Sequence, residues 1–353
     1  MFTRKGFPVF AGTYHGWPTA PWDLLIKCSR VIPIGGGLDC LLSVVLFLRL
    51  GSPPAIDYAM LLDFLLEQQM QDFEGKVAVI TGAASGIGRA LTEKCLAEGM
   101  HVVMADIETE ALHQAAEALQ EGGQNSILPV KTDVAILDEI ENLKQKAVET
   151  FGGVHLLFNN AGVGGGGNAW NSTQKDWEWV LGVNLWSVIH GLRVFVPQMI
   201  SQQTPCHIVN TASVAGLLGG TTNAAYSVTK HGVVAMTENL LQDLLAENLQ
   251  IGASVLCPGL IDTNIMDSGR NRPASLVDNA EPVQLTAEQE VSRDQFAAAL
   301  KQGMQPADVA EIVFAGIRAN RLYIQTHDLF NGMILERANN IAAGTNPKTL
   351  KLF

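Results

Sequence analysis

The stretch VAVITGAASGIGRA, residues 77–90, joins an apolar run to three glycines and a helix-like pattern. The apolar run predicts a buried strand, and the residues after the glycines predict a helix. Gly82 permits a tight turn, whereas Gly86 and Gly88 let backbone amides approach an anionic group without a Cβ in the way. The spacing, G-x-x-x-G-x-G, departs from the general G-x-G-x-x-G fingerprint. A strand before the glycines and a helix after them still favour a dinucleotide pyrophosphate site.

The rest of the chain repeats this alternation of short β-branched runs and helical stretches, which is typical of a parallel sheet covered by helices. Seven strands are predicted, at residues 77–80, 102–105, 127–131, 156–158, 207–210, 251–256 and 322–324. Helices are predicted near residues 87–98, 109–121, 136–150, 173–199, 223–248 and 306–319. We therefore expect an α/β fold of the Rossmann type, with a doubly wound, seven-stranded parallel sheet flanked by helices on both faces. Its ligand should lie outside the carboxyl ends of the strands.

Composition narrows the class of function. The 353 residues are 47% hydrophobic, which is enough for a packed core, and the net charge is −12. Such an acidic protein lacks the positive field that a nucleic-acid groove or an anionic membrane surface requires, so we expect a small-molecule substrate and no nucleic acid. The five cysteines are scattered and lack metal-ligand spacing. We therefore expect reduced thiols, no metal site and a cytoplasmic location.

Residues 1–69 differ from the remainder of the chain in proline content and in charge balance. They hold six of the fourteen prolines, and their five Lys/Arg match their five Asp/Glu. Their most apolar stretch, residues 38–50, falls short of the ~20 residues that a membrane helix needs, so no integral membrane span is predicted. Two interpretations of this N-terminal extension remain open: an extension from an upstream start codon, untranslated or disordered, and a targeting or docking segment. A single Rossmann-type catalytic domain is predicted for residues 70–353.

Asp106 ends the second predicted strand, 24 residues after Gly82. A carboxylate at this point can accept hydrogen bonds from the adenosine ribose hydroxyls and would repel a 2′-phosphate. Neither Ser85 nor the two residues after Asp106 supply an arginine for such a phosphate. NAD is therefore favoured over NADP, which stays an alternative. At the end of the third strand, Asp133 and Val134 fit either an adenine contact or a plain loop cap.

Tyr226 and Lys230 lie four residues apart in AAYSVTKHG, on one face of a predicted helix, and Ser213 lies thirteen positions upstream. An ammonium beside a phenol stabilises the phenolate, whose pKa is ordinarily about 10. A tyrosine of lowered pKa can act as acid and base at neutral pH, and a nearby serine can hold the oxygen of an alcohol or carbonyl. By itself this spacing is weak, because it is also common on solvated helix faces. The other motifs make it significant.

Together the motifs resemble the classical short-chain dehydrogenase/reductase family over residues 70–261. The matching elements are Thr81-Gly82-x-x-x-Gly86-Ile87-Gly88, Asp106, Asp133, Asn159-Asn160-Ala161-Gly162, Asn184, Ser213, Tyr226-x-x-x-Lys230 and Pro258-Gly259 with Thr263. The resemblance implies a cofactor-binding surface made of Thr81, Gly82, Ser85, Gly86, Ile87, Gly88, Asp106, Asp133, Val134, Asn160, Ala161, Gly162, Tyr226, Lys230, Pro258, Gly259, Ile261 and Thr263.

The resemblance also implies catalytic roles. Tyr226 would be the general acid/base, Lys230 would lower its pKa and hold the nicotinamide ribose, and Ser213 would orient the reacting oxygen. Asn184 would hold a water that connects Lys230 to solvent as a proton relay. Similar proteins form homodimers and homotetramers through their long helices, and we expect the same here.

A long polar segment, residues 263–300, is predicted to be a substrate lid. Apolar residues beside the catalytic loops are predicted to line the pocket with Ser213 and Tyr226; they are Val163, Trp170, Val214, Leu217, Leu218 and Met266. The predicted function is hydride transfer between NAD(P) and a hydrophobic secondary alcohol or ketone. The alternatives are a catalytically silent NAD-binding scaffold or redox sensor and, among enzymes, a ketoacyl-type reductase.

Overall fold

Seven apolar runs of the sequence form parallel strands in the computed structural model, which describes residues 70–120, 126–165, 167–220, 223–277 and 287–347. The N-terminal extension lies outside the described residues. The strands are β1 (Val77–Thr81), β2 (His101–Asp106), β3 (Ile127–Lys131), β4 (Leu156–Asn159), β5 (Cys206–Thr211), β6 (Ile251–Cys257) and β7 (Tyr323–Gln325). Each predicted strand is confirmed to within one residue at either end.

Nine α-helices appear in the described ranges: α1 (Gly86–Ala97), α2 (Thr109–Leu119), α3 (Leu137–Phe151), α4 (Gln174–Leu181), α5 (Ser187–Gln202), α6 (Ala224–Ala246), α7 (Ala287–Lys301), α8 (Pro306–Arg318) and α9 (Asn331–Ala343). A π-helical turn, Gly182–Trp186, joins α4 to α5. Helices α7 and α9 were not predicted from the sequence. None of the residues in α9 is buried, and its apolar residues Leu335 and Ile341 are exposed.

The strand order of the sheet is β3-β2-β1-β4-β5-β6-β7, and every neighbouring pair is parallel. The chain runs outward from β1 to β3 and then returns to the other side of β1 to begin β4. This return creates a topological switch point between β1 and β4. In open parallel sheets the ligand crevice lies at such a point, outside the carboxyl ends of the strands.

Helices cover both faces of the sheet, because alternate strand residues point to opposite sides. On one face, Ile80 and Phe158 pack with apolar residues of α1, α2 and α8. On the other, Val79 and Leu157 pack with residues of α3, α5 and α6. All five residues of β1 are buried, as expected for a central parallel strand. The predicted doubly wound Rossmann-type fold is thereby confirmed.

The run from α4 to α5, Gln174–Gln202, is long and apolar enough to cross a membrane by length and composition, the one such helix in the described ranges. In its most apolar stretch 44% of the residues are buried within the chain. A helix that packs on a sheet passes the same test, so this is a weak indication of membrane association. The predicted absence of an integral span stays a prediction.

Candidate active site

The glycine turn after β1 is shaped by positions that no larger residue could occupy. Gly82 and Gly86 have φ angles of +68° and +53°, in the left-handed region that favours glycine. A Cβ on Gly88 would lie 2.0 Å from the carbonyl oxygen of Gly82. Backbone and helix N-terminus are therefore open to a ligand at this point, and the site fits a dinucleotide pyrophosphate. The exposed Ser85 precedes α1 in extended conformation, and Ile87 packs partly into the core below.

Thr81 ties the ends of β1 and β4 together at the switch point. Its hydroxyl oxygen accepts hydrogen bonds from the amides of Asn160 and Ala161, at 2.9 and 3.0 Å. The same hydroxyl donates to the carbonyl oxygen of Phe158 at 3.2 Å. In return, the Asn160 amide Nδ2 donates to the Thr81 carbonyl oxygen at 3.0 Å. The two loops that the resemblance assigns to the cofactor are therefore held rigidly next to each other.

Asp106 lies at the end of β2 with its carboxylate anchored by backbone amides. Its Oδ2 accepts from the amide of Ala84 at 3.0 Å, and its Oδ1 accepts from the amide of Glu108 at 3.1 Å. Burial raises the pKa of Asp106, while these backbone hydrogen bonds act in the opposite direction. A carboxylate oxygen can accept more than one hydrogen bond, so lone pairs remain for ribose hydroxyls. The structure therefore fits the ribose contact that the sequence predicts.

Two residues near the cofactor cleft have local partners. The guanidinium of Arg89 lies 3.1 Å from the carboxylate of Glu93, one turn further along α1. The Asp133 carboxylate Oδ1 accepts from the amide of Ala135 at 3.0 Å, which is the geometry of a loop cap. Val134 is buried in the core on its side of the sheet. The structure shows the loop cap at Asp133, and the adenine contact of Asp133 and Val134 stays a prediction.

Tyr226 and Lys230 lie in the first two turns of α6, where they share a face as predicted. The Lys230 ammonium is 5.4 Å from the centroid of the Tyr226 ring, and it donates to the carbonyl oxygen of Thr211 at 3.0 Å. Lys230 is only 3% exposed. The Ser213 side chain, on the loop after β5, is hydrogen-bonded to the side chain of Tyr226. The structure thus brings together the three predicted catalytic groups.

The pKa values of this cluster differ from the expectation. The pKa of Tyr226 is raised, because burial disfavours the phenolate more than the Ser213 hydrogen bond favours it. Burial also lowers the pKa of Lys230 to about 8, so its positive charge begins to be lost just above neutral pH. The predicted lowering of the Tyr226 pKa is therefore not seen in the chain by itself. The sequence shows the spacing of phenol and ammonium, but it does not show how much water the fold removes from both.

Asn184 lies in the π turn with its side chain buried. Its Oδ1 accepts from the Val163 amide at 2.8 Å, and its Nδ2 donates to the Val163 carbonyl oxygen at 2.9 Å. A Cβ on Gly162 would lie 3.4 Å from Asn184 Oδ1 and 3.5 Å from the Lys230 ammonium. Asn184 therefore fixes the loop after β4 beside the catalytic lysine. Its role in a proton relay stays a prediction from the resemblance.

The loop after β6 closes the other side of the site. The Pro258 carbonyl oxygen accepts from the Val214 amide at 2.9 Å, and the Gly259 amide donates to Thr326 Oγ1 at 3.0 Å. Ile261 is buried, and a Cβ on Gly86 would lie 3.2 Å from the side chain of Thr263. This loop therefore meets both the Ser213 loop and the glycine turn, and its role in binding the cofactor stays a prediction from the resemblance.

The predicted pocket walls differ in burial. Val163 and Leu218 are buried near the catalytic loops. The side chains of Val214 and Leu217 are half-buried. Met266 is 47% exposed, on the segment after β6. The indole of Trp170 is 81% exposed, so it does not form a packed pocket wall, contrary to the prediction.

The structure adds residues that the sequence did not indicate. Thr211 supplies the carbonyl oxygen for Lys230, and Thr326 holds the amide of Gly259. Arg270 reaches across the site to Glu108, beside Asp106. Each of these contacts joins residues far apart in the chain, and none belongs to a local motif. In the described ranges, no group of three His, Cys, Asp or Glu side chains is placed to hold a metal ion.

Comparisons with known proteins agree with this geometry. The family model for short chain dehydrogenases matches residues 76–274. A CLA biosynthesis dehydrogenase/reductase from Lactiplantibacillus plantarum is 34% identical over 279 residues, which are 79% of this chain and 97% of that protein. A 3-oxoacyl-(acyl-carrier-protein) reductase from Thermotoga maritima is 36% identical over 190 residues, 54% of this chain and 76% of that protein.

A solved structure extends the comparison to three dimensions. The crystal structure of a short-chain dehydrogenase/reductase from Burkholderia phymatum in complex with NAD is 43% identical, covers 80% of this chain and 100% of its own, and superposes with a TM-score of 0.77. The residues matched by the family model include the glycine turn, Asp106, Asn184, Tyr226 and Lys230. The similarity thus covers the candidate site as well as the sheet, and the chain belongs to the short-chain dehydrogenase/reductase family of oxidoreductases.

Proposed function

We propose that this protein transfers a hydride between NAD(H) and a hydrophobic secondary alcohol or the corresponding ketone, with Tyr226 as the general acid/base. The observation that carries the proposal is the placement of a buried ammonium, Lys230, 5.4 Å from the ring of Tyr226, with the Ser213 side chain hydrogen-bonded to the same phenol. Burying a lysine costs free energy, and titratable groups with strongly shifted pKa values are concentrated at functional sites. Packing alone gives no reason to retain this arrangement.

Each residue of the cluster has a task in such a reaction. When bound, the nicotinamide supplies the acceptor or donor of the hydride. In the oxidation direction, the Tyr226 phenolate takes the proton of the substrate hydroxyl, and the Ser213 hydroxyl holds the same oxygen. The Lys230 ammonium stabilises the phenolate electrostatically. Asn184 keeps the loop at Val163 in place, so that the cofactor side of the pocket does not shift during the proton transfer.

We propose NAD as the preferred cofactor. The carboxylate of Asp106 lies at the end of β2, where a fold of this type would place the ribose hydroxyls, and Glu108 is a second carboxylate two residues later. A 2′-phosphate at this point would meet the negative charge of Asp106, whereas the charge of Glu108 is balanced by Arg270. A side-by-side titration of the protein with NADH and NADPH tests the proposal. Tighter binding of NADPH than of NADH would refute it.

The class of substrate is proposed from the pocket and from the relatives. Val163, on the loop after β4, and Leu217 and Leu218, on the loop after β5, are apolar residues close in sequence to the catalytic loops, which favours a hydrophobic substrate. Similarity to the Thermotoga maritima reductase supports the second candidate, a ketoacyl-type reductase. A panel of secondary alcohols with NAD, run beside a β-ketoacyl thioester with NADH or NADPH, separates the two candidates.

A silent NAD-binding scaffold is the least favoured alternative, because the chain keeps Tyr226, Lys230 and Ser213 in contact with one another. Assembly into a homodimer or homotetramer is supported by apolar side chains that are about half exposed, among them Trp186 in the π turn and Val228 on α6. A cytoplasmic location is supported by the free thiols of Cys95, Cys206 and Cys257.

The mechanism is tested by Tyr226→Phe, which removes the phenolic hydroxyl and leaves the ring in place. We expect turnover to fall at least a hundredfold, as is usual when a general acid/base is removed, while NADH binding stays within about threefold. The matched control is Tyr323→Phe, because the Tyr323 hydroxyl bonds Glu238 at 2.6 Å on the exposed end of β7. Initial rates and NADH fluorescence titrations give both quantities. Full turnover in the Tyr226 variant would contradict the mechanism.

A further inference from the structure

The segment that follows β6 crosses the carboxyl edge of the sheet. We call residues 264–277, which form two short 3-10 helices, the cover segment. It starts beside the glycine turn after β1, and the Gly164 amide, after β4, donates to its Ser268 hydroxyl at 2.8 Å. Further along, Arg270 contacts Glu108, after β2. Between β6 and β2 lie four strand spacings, or about 19 Å. The loop after β6 and the cover segment together therefore contact the segments that follow β1, β4 and β2, across the crevice in which a dinucleotide would lie.

The middle of the cover segment, at Arg270 and Asn271, is fastened by a single carboxylate. The Arg270 guanidinium lies 2.7 Å from Glu108 Oε1, and the Asn271 amide Nδ2 donates to the same oxygen at 2.8 Å. The Arg270 and Glu108 side chains are 32% and 30% exposed, so the pair is only partly screened by water. Burial would raise the pKa of Glu108, but the bonds from Arg270 and Asn271 lower it overall, so the carboxylate is charged at neutral pH.

Glu108 also belongs to the turn that holds Asp106. Its backbone amide donates to Asp106 Oδ1 at 3.1 Å. One short turn thus carries both the carboxylate for the adenosine ribose and the carboxylate that fastens the cover segment. Any ligand held by Asp106 would lie directly beside the contact between Glu108 and Arg270.

The part of the cover segment from residue 272 to residue 277 is held by more contacts than Arg270 and Asn271 are. Arg272 pairs with Asp176 of α4 at 2.6 Å, bonds the Leu276 carbonyl oxygen at 2.8 Å, and lies 5.3 Å from the centroid of the Trp179 ring. The Lys175 ammonium donates to the carbonyl oxygen of residue 277 at 2.8 Å. Because this end has a larger set of contacts, the contact at Glu108 is the weaker attachment and the one expected to open first.

We propose that Glu108, Arg270 and Asn271 form a clasp that closes the cover segment over the adenosine end of the cleft and sets the rate at which the dinucleotide leaves. The inference rests on the proposed function, since it takes the cleft to hold a dinucleotide. Arg270 is a positioning residue here, because it acts on the cover segment and not on the reacting atoms. A clasp made of an ion pair is weakened by salt, whereas hydride transfer inside the closed site is not.

The test is the dissociation rate of NADH, measured by stopped-flow fluorescence as excess NAD displaces it. Arg270→Gln removes the cation and keeps a polar side chain of similar length. We expect dissociation to accelerate about three- to tenfold, which corresponds to the loss of a partly buried ion pair. The matched control is Arg293→Gln, which removes an arginine paired with Asp294 on the exposed surface of α7 and should leave the rate unchanged.

Two further measurements distinguish a clasp from a general loosening of the fold. Glu108→Gln should accelerate dissociation to the same extent, and the double variant should be no faster than either single variant, because both remove one interaction. Raising the salt from about 20 mM to about 500 mM should accelerate release from the unmodified protein but not from the Arg270 variant. Additive effects of the two substitutions would overturn the clasp.

Two different experimental outcomes would contradict the proposed function and the clasp. If the unmodified protein binds no NADH, the proposed cofactor is wrong and the clasp is overturned with it. If NADH binds and the Arg270 variant releases it no faster than the Arg293 variant does, the clasp is overturned and the proposed function stands. Circular dichroism of every variant shows whether the fold is retained, and Arg270→Lys, expected to give an intermediate rate, replaces any variant that fails to fold.

Discussion

Replacing Lys230 by Met should abolish activity and at the same time stabilise the fold. The side chain is buried, and burial lowers its pKa from 10.5 to about 8. At pH 7 the folded protein therefore holds an ammonium that would be more stable in the solvated, unfolded chain. Met fills a comparable volume without a charge. Retaining the lysine is a cost in stability that the proposed catalytic role explains.

The magnitude follows from the two pKa values of Lys230. Each pH unit between them corresponds to about 1.4 kcal/mol, so the buried ammonium destabilises the fold by about 3 kcal/mol at pH 7. Met cannot replace the hydrogen bond from Lys230 to the Thr211 carbonyl oxygen, which is worth about 1 kcal/mol. We therefore expect the variant to be more stable by about 2 kcal/mol at pH 7.

The pH dependence makes this expectation specific. Between pH 8 and 10.5 the unfolded chain keeps the Lys230 proton while the folded chain loses it, so the unmodified protein gains stability from this group as pH rises. The advantage of the Met variant should shrink over the same window. Urea unfolding at several pH values measures the difference in free energy of unfolding between the two proteins. Lys146→Met, at an exposed lysine on α3, is the control. A Lys230→Met variant that is no more stable than the unmodified protein at pH 7, with a difference that does not change with pH, would contradict this expectation.

Two other predictions concern the glycine turn and a buried histidine. Gly88→Ala would place a Cβ 2.0 Å from the Gly82 carbonyl oxygen, so we expect about 1–3 kcal/mol of destabilisation and at least about tenfold weaker NADH binding. Gly332→Ala, where an added Cβ meets open space on α9, is the control. Unchanged NADH binding by the Gly88 variant would contradict the expectation. Burial lowers the pKa of His207 to about 3, so between pH 6.5 and 3 the unfolded chain binds a proton that the folded chain does not, and stability falls as pH falls. Between pH 7 and pH 5, the free energy of unfolding of the His207→Gln variant, measured in urea, should fall by about 2 kcal/mol less than that of the unmodified protein. An equal fall in both proteins would argue against a neutral, buried His207.

The sequence predicts features that depend on local order. Each strand is a run of β-branched and apolar residues, and the turn at Gly82, Gly86 and Gly88 has a steric signature that neighbouring residues do not alter. Tyr226 and Lys230 share a helix face because four residues make about one turn. These features were confirmed because the backbone of one short segment is sufficient to produce them.

Other features depend on contacts between distant segments. Arg270 and Glu108 are 162 residues apart, and the hydrogen bond between Thr326 and Gly259 spans 67. Helix α7 takes up the last part of the segment predicted to be a substrate lid, where the polar composition gave no clear helical periodicity. The direction of the Tyr226 pKa shift depends on how deeply the fold buries the ring. Periodicity and motif spacing contain no information on these quantities.

The π turn at Gly182–Trp186 has a consequence for how this helix tolerates change in length. A π turn is equivalent to one residue inserted into an α-helix, and one residue rotates everything beyond it by about 100° about the helix axis. Helix α4 can therefore present one side to the cover segment through Asp176, while α5 presents a different side to the sheet through Val188 and Phe195. Deleting a single residue here would restore regular α-helix and turn the two halves out of register. Substitution of the half-exposed Trp186 in this turn should thus be tolerated far more readily than a change of one residue in the length of the turn.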